Sequence, residues 1–357
     1  MIIPFYLFKR FLLGLFVSIV VLVSIETFFS FTAEIKYLDQ GRYDLTTILK
    51  YIILNIPKSI DIMYPYAVLI GAMLSLGAMA SDMEFVSMQS AGISVTKIIS
   101  IIIIQVFLFS CVFYYVADSV IPKYSSKAER KKNIALNKKI IFHNNGIWFK
   151  DKSTFIKIDE IYSDSNLQGI TMYDYDKNDK LISVKYIKKA YADNNKWSLK
   201  NVTEIFLDSY PVIKKHHAEQ TLNNFIDKNL ISIKTQKYHS ISLRNVEKNI
   251  RYLEKNKLDS SIQKKIFWEK IFKPISTVIM LFLAMPFIFG KLRSTNASKR
   301  IVIGVFIGIS FFIISSILPN IGMLIGLTPF INVLLPHLVF AIVGKYLYEY
   351  QLEAGLR

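Results

Sequence analysis

Six runs of apolar residues decide what this chain can become. The first, Phe11 to Ala33, holds 23 residues and one formal charge, Glu26. Inside a bilayer no water reaches the backbone, so a run of this kind pairs its amides internally as a helix. About 20 helical residues cross the hydrocarbon layer. Ile62 to Ala80 and Ile98 to Ala117 carry no charge. Ile275 to Gly290, Ile301 to Leu318 and Thr328 to Val343 follow towards the C-terminus. The fourth run has only 16 residues, and Ile266, Phe267, Trp268, Ile271 and Phe272 extend it on its N-terminal side. Lys9 and Arg10 precede the first run as in a secretory leader, but the run is too long and no small-x-small site ends it. The pattern predicts six spans, three on each side of a polar middle.

An even number of spans puts both termini on one side. Lys9 and Arg10, Lys97, and Lys291, Arg293, Lys299 and Arg300 lie on that side. The opposite short connections carry Lys36, Arg42 and Lys50 at 34–50 and nothing at 319–327. Positive charge therefore favours cytoplasmic termini. The polar middle, residues 122–265, is then an extracytoplasmic domain of 144 residues. Short pieces rich in β-branched and aromatic residues alternate there with turn clusters: 139–143, 147–149, 154–158, 169–175, 181–186 and 196–207. This spacing predicts an antiparallel sandwich or barrel. From Leu243 the residues Val246, Ile250 and Leu253 recur at helical spacing and predict a helix leading into the fourth span.

The chain is basic, with 44 Lys+Arg against 27 Asp+Glu and a net charge of +17. The polar middle holds 29 and 16 of these, so +13 lies there. Outside the cytoplasm that charge has no nucleic acid to meet. It is either solvated surface or a means of meeting anionic head groups and an anionic lipid cargo. Catalytic patterns are absent from the sequence. No GxxxxGK[ST] motif occurs, so the chain should not hydrolyse ATP itself, and no HExxH occurs. A single cysteine, Cys111, inside an apolar run, reads as a small buried hydrophobe. No enzyme, no metal site and no cofactor bound by this chain are predicted. Glu26 beyond the middle of the first span is either functional or tolerated near the interface, and a charge there costs on the order of 3 kcal/mol. Asp118 reads as the outer end of the third span. Gly304-x-x-x-Gly308, Gly322-x-x-x-Gly326 and the ridge Ala67, Gly71, Ser75 allow close helix approach, within the chain or between subunits.

The connection between the second and third spans reads Leu76-Gly77-Ala78-Met79-Ala80-Ser81-Asp82-Met83-Glu84-Phe85-Val86-Ser87-Met88-Gln89-Ser90-Ala91-Gly92. Ser81 with Glu84 three residues on predicts a capping box, Phe85 and Met88 an apolar face, and Gly92 a helix end. A short amphipathic helix at about 81–92 is either an inert interfacial element or a handle for a separate ATPase. This segment resembles the lipopolysaccharide export permeases, the LptF/LptG family, and is more similar to the G-type. The likeness extends to Gly41-Arg42-Tyr43-Asp44, to Gly146-Ile147-Trp148-Phe149-Lys150-Asp151, and to Trp268-x-Lys270-Ile271-Phe272-x-Pro274 running on to Phe287-Ile288-Phe289-Gly290-x-Leu292-Arg293-Ser294.

The resemblance implies an α+β membrane protein: six transmembrane helices with an inserted periplasmic antiparallel β-jellyroll. Residues 1–121 would hold spans one to three, 122–265 the periplasmic domain and connecting helix, and 266–357 spans four to six. It implies a permease subunit in the Gram-negative inner membrane, paired with an LptF-type permease over a dimeric LptB ATPase that uses ATP and Mg. The pair would extract lipopolysaccharide among the membrane lipids and pass it to LptC and the periplasmic bridge, a step in outer-membrane biogenesis. Asp82, Glu84, Phe85 and Met88 would couple to the ATPase, Glu84 in the position of the family's coupling glutamate. Lys36, Arg42, Arg130 and Lys132 would meet lipid A phosphates, and Gly304 and Gly308 would serve a gate or its helix packing. Ser30 stands where the family places a late basic residue in span one. The competing expectations are a force-transmitting scaffold that moves no lipid, and an ion-coupled transporter.

Overall fold

A computed structural model describes residues 2–136, 140–141, 147–151, 153–163, 165–176, 180–193, 196–208, 210–223, 225, 241–289 and 297–356. Six long helices, α1 (Ile2–Ile35), α2 (Leu45–Ser81), α4 (Val95–Ala135), α6 (Ser261–Phe289), α7 (Ala297–Leu324) and α8 (Pro329–Leu356), contain the expected spans as far as these are described. All six are long and apolar enough to cross a membrane. A short helix, α3 (Glu84–Ser90), joins α2 to α4, and α5 (Leu243–Lys255) precedes α6. With 37 and 41 residues, α2 and α4 reach about 55–60 Å, roughly twice the hydrocarbon thickness. The apolar run ends at Ala117, yet α4 continues for more than four turns because no glycine follows and Pro122 stays within the helix.

The chain divides into two compact units, one of Met1–Lys36, Ile52–Ser125 and Ser261–Arg357, the other of Tyr37–Tyr51 and Ser126–Ser260. The first unit is the helical bundle. Its core joins Leu7, Phe11 and Leu15 of α1 to Val68, Ala72 and Leu76 of α2, Ile98 and Ile102 of α4, and Met280 and Ala284 of α6. Where α1 crosses α2, a Cβ on Gly71 would lie 2.8 Å from Leu15 Cα, and one on Gly14 would overlap the Gly71 carbonyl. Only glycine permits this approach, so the Ala67, Gly71, Ser75 ridge is spent on α1 of the same chain. Likewise a Cβ on Gly304 would press Met73 Sδ at 2.7 Å and one on Gly308 would touch Tyr66 at 3.4 Å, both on α2. Gly326 serves a turn instead. Its φ of +79° ends α7, with its amide on Met323 O.

Two ion pairs tie α6 to the first half of the bundle. Lys273 Nζ meets Asp61 Oδ2 on α2 at 2.5 Å, and Lys270 Nζ meets Asp118 Oδ1 on α4 at 2.8 Å. Asp61 is only 3% exposed. The Lys273 ammonium also stands 5.5 Å from the centre of the Tyr114 ring, whose hydroxyl hydrogen-bonds Thr277 at 3.1 Å. Asp118, which in the sequence marks only the outer end of the third span, is thus one half of a tertiary pair. Asp61 stands one residue ahead of the apolar run, where the sequence gives it no distinguishing mark. Nearby, His337 of α8 bonds Ser276 through Nε2 and Val333 O through Nδ1.

The second unit is built on an antiparallel sheet of β1 (Ile140–Ile141), β2 (Ile147–Asp151), β3 (Thr154–Ser163), β4 (Asn166–Tyr175), β5 (Leu181–Asp193), β6 (Lys196–Phe206) and β7 (Ile213–Asn223). From β3 to β7 each strand pairs with its sequence neighbour, while β1 and β2 both pair with β3. An antiparallel β domain is therefore inserted between the third and fourth spans, as the strand pattern predicts. Its core holds Ile156, Ile158, Leu167, Ile170, Ile187, Leu199 and Val202, closed by Trp197 against Phe225 at 5.8 Å. The turn at 144–146 and most of those at 176–179 and 193–195 lie outside the described residues. The apolar pattern stops β5 at 186 and omits β7. In β7 the run Lys214-Lys215-His216-His217 hides the strand, and among the described residues it pairs only with β6, where an edge tolerates charge. Ser242 accepts the Asn245 amide and opens α5 as expected, and Tyr252 of α5 donates to Lys150 O at 2.8 Å.

Asp44 opens α2. Its Oδ1 accepts the Thr47 amide at 3.0 Å and the Thr47 hydroxyl, and its Oδ2 accepts the Thr46 hydroxyl at 2.7 Å. The Thr47 hydroxyl first, then that of Thr46, stabilise the anion and lower its pKa from 3.8 to about 2. A carboxylate with a lowered folded value contributes stability above its unfolded value and loses it as pH falls through the folded one. Asp44→Ala is therefore expected to lower the melting temperature by a constant amount above about pH 4, and the gap to wild type should close between pH 4 and 2. A gap independent of pH in thermal melts would refute this. For the buried pair, Lys273→Ala leaves Asp61 uncompensated and should destabilise the detergent-solubilised protein by about 3 kcal/mol, whereas Asp61→Asn with Lys273→Met should recover most of it. Equal losses in both proteins, read by thermal shift, would show that the pair is not the cause.

Candidate functional site

The connection from α2 to α4 has a shape the sequence only partly announces. Ser81 is the last residue of α2, and its hydroxyl donates back to Gly77 O at 3.1 Å. The residue that precedes the next helix is Met83, and the Glu84 carboxylate is engaged elsewhere, so the expected capping box does not form. Met83 has φ 58° in the left-handed region and no side-chain cap. The seven residues from Glu84 end as predicted at Gly92, whose φ is +85° and whose amide reaches Gln89 O at 2.9 Å. Ile93 N reaches back to Met88 O, so the last carbonyls are satisfied by a Gly-centred cap. Phe85 is buried, 4.7 Å from the Phe289 ring at the end of α6. Met88 packs partly buried against the same core. Asp82, Met83 and Val86 are exposed.

Released from capping, the Glu84 carboxylate turns to the start of α1. Tyr6 donates its hydroxyl to Oε2 at 2.9 Å, and Arg10 Nη2 donates to Oε1 at 3.3 Å. Arg10 Nε donates to the Tyr6 hydroxyl oxygen at 2.9 Å, with the guanidinium 5.3 Å from the ring centre. Local sequence carries one trace of this: Tyr6 and Arg10 stand one helical turn apart and share a face. Their partner lies 74 and more residues away, and no local pattern reveals that.

The four basic residues expected at a phosphate site fall into two kinds. Lys36, Arg42 and Arg130 are exposed. Lys132 is buried at 9%, its ammonium 4.7 Å from the Tyr37 ring centre and 4.8 Å from that of Tyr51. Tyr51 in turn donates to Glu129 at 3.1 Å. The Gly41-Arg42-Tyr43-Asp44 block is fixed by backbone. Gly41 has φ +66°, a Cβ there would lie 2.7 Å from Ala135 O, and the Arg42 amide donates to that carbonyl at 2.7 Å. Tyr43 is buried, so of this block the Arg42 side chain is the one with positive charge to offer. In span one, Ser30 donates to Glu26 Oε1 at 2.9 Å, while Glu26 Oε2 has no hydrogen-bond partner among the described residues. No cluster of three His, Cys, Asp or Glu side chains able to hold a metal occurs among the described residues.

Residues 5–350 match the family model described as the lipopolysaccharide export system permease LptF/LptG. The chain is 31% identical over 342 residues to the lipopolysaccharide export system permease protein LptG of Haemophilus influenzae, covering 95% of each chain. It is 27% identical over 349 residues to LptG of Escherichia coli K12, covering 96% of each. With six apolar helices, an inserted antiparallel sheet and a match over nearly its whole length, the chain belongs to the LptF/LptG family of lipopolysaccharide export permeases and is a multi-pass inner-membrane protein.

Proposed function

We propose that this chain is the G-type half of an ATP-driven exporter that lifts lipopolysaccharide out of the inner membrane. It would pair with an F-type permease over a dimeric LptB ATPase and deliver its cargo to LptC and the periplasmic bridge. The observation that carries the reading is the continuous family match over residues 5–350, which takes in the helices, the sheet and α3 together. The chain itself would bind no cofactor and catalyse no reaction, ATP and Mg belonging to the ATPase. The excess of Lys and Arg near Lys9, Lys97 and Lys299 supports cytoplasmic termini, with the sheet in the periplasm.

In this reading α3 is the surface that meets the ATPase. Phe85 and Met88 anchor it to the bundle, and Asp82 and Glu84 give it an acidic edge. Arg42 and Arg130 are the preferred contacts for lipid A phosphates, because their guanidinium groups are exposed and can grip two phosphate oxygens at once. Lys36 is a third exposed cation. Lys132 would act by holding Tyr37 and Tyr51 in place more than by touching cargo. Gly304 and Gly308 keep α7 close to α2, a seam that a lateral gate could use.

Glu84→Lys should abolish stimulation of the ATPase and lipopolysaccharide release from proteoliposomes, and retention of both would count decisively against the assignment. A photoreactive residue at position 42 or 130 should crosslink to lipopolysaccharide, and one at 132 should crosslink at least about tenfold less, since an adduct needs an exposed reactive group. Equal adducts at 42, 130 and 132 would remove the distinction. No adduct at any of them, with the ATPase still coupled, would favour a scaffold that moves no lipid.

A further inference from the structure

Glu84, Tyr6 and Arg10 close a ring of three hydrogen bonds. Arg10 Nε donates to the Tyr6 oxygen, the Tyr6 hydroxyl donates to Glu84 Oε2, and Arg10 Nη2 donates to Glu84 Oε1. Every donor in the ring is used once, and both carboxylate oxygens are engaged. The planar guanidinium supplies two donors at a fixed angle, which the single ammonium of lysine does not. Each carboxylate oxygen has a second lone pair, and the Glu84 side chain keeps 22% of its surface, so a further donor can still approach. The same carboxylate can thus face a docked protein and remain attached to α1.

The crossing of α1 with α2 at Gly14 and Gly71 is close, with the Gly71 carbonyl and the Ser75 side chain set directly against Gly14. In the first turns of α1, Gln105 of α4 also donates to Pro4 O at 2.9 Å. Tyr6 and Arg10 lie two turns and one turn before that crossing, so a displacement of α3 acts on α1 at its end, about 6–12 Å from the close contact.

We propose that Tyr6 and Arg10 are positioning residues that hold the Glu84 carboxylate and join α3 to α1, so that movement imposed on α3 is carried directly into the first span. This rests on the reading that α3 docks on an ATPase. It is a mechanical link between the docking helix and one particular span, made by side chains that touch neither ATP nor cargo.

The test uses the assembled complex of this chain, an F-type permease and the ATPase in proteoliposomes, and reads lipopolysaccharide released per ATP hydrolysed. Tyr6→Phe and Arg10→Ala should each lower that ratio by about fivefold to tenfold, since each removes two of the ring's three partly exposed hydrogen bonds. Arg10→Lys should recover part of the loss, since one donor to Glu84 is restored. Neither change should deepen the defect of Glu84→Ala when combined with it, because all three act through one ring. Losses that multiply fully with that of Glu84→Ala would overturn the link. Wild-type ratios in Tyr6→Phe and Arg10→Ala beside an uncoupled Glu84→Ala would overturn this proposal alone. A wild-type ratio in Glu84→Ala would instead overturn the docking reading on which it rests. Tyr6→Phe removes a single oxygen, so its result stands even where Arg10→Ala fails to assemble.

Discussion

A charge placed in an apolar layer has to find its opposite, and the helical unit is organised by that demand. Lys270 and Lys273 stand three residues apart on α6 and reach Asp118 on α4 and Asp61 on α2. A buried pair of this kind adds little net stability compared with well-packed hydrophobes, but a wrong arrangement that strands one member costs several kcal/mol. The two pairs therefore act mainly by exclusion. They penalise any packing in which α6 is rotated or shifted against the first three spans. This matters because the two halves of the bundle are separated in the chain by the whole β unit and must find one another late. Apolar surfaces alone, slippery in a lipid solvent, would leave that register weakly specified.

The same economy of polar contacts recurs at smaller scale. Lys132 is enclosed by two tyrosine rings, and Glu84 by a tyrosine and an arginine. Each uses an aromatic residue with a hydroxyl or a π face to keep a charge in place. Each also lies at a joint, between a loop and long helices in one case and between a short helix and the first span in the other. The β unit solves its own problem conventionally, with a buried face around Trp197 and a polar edge strand.

The spans are legible in the sequence because hydropathy is a sum over about 20 residues, and no single side chain can overturn it. The inner strands are legible for a similar reason, as runs of β-branched and aromatic residues. β7 is not, since its lysines and histidines satisfy an edge and erase the apolar alternation. The site is legible in place but not in geometry. Ser81 and Glu84 match a local capping pattern, yet the Ser81 hydroxyl serves α2 and the Glu84 carboxylate serves α1. Tertiary partners won over the local option because they offer a cation and a phenol where the cap offered one amide. Lys132 reads in the sequence as a cation for lipid A phosphates like Arg42 and Arg130, since nothing in its neighbourhood names Tyr37 and Tyr51. Asp61 escapes notice because it sits one position outside an apolar run, where an acid looks like a boundary.

The ends of α3 carry a consequence for how this chain can vary. The helix has only seven residues, starts from a left-handed Met83 directly after α2 and stops at a left-handed Gly92. There is no slack in either joint. Each residue added or lost between Ser81 and Glu84 would turn the helix by about 100°. Phe85 would then swing away from Phe289, and Glu84 away from Tyr6 and Arg10. Surface loops usually tolerate changes of length better than changes of chemistry. Here the ordering is reversed: a single exposed side chain on α3 can change without moving the helix, but the count of residues from the end of α2 cannot.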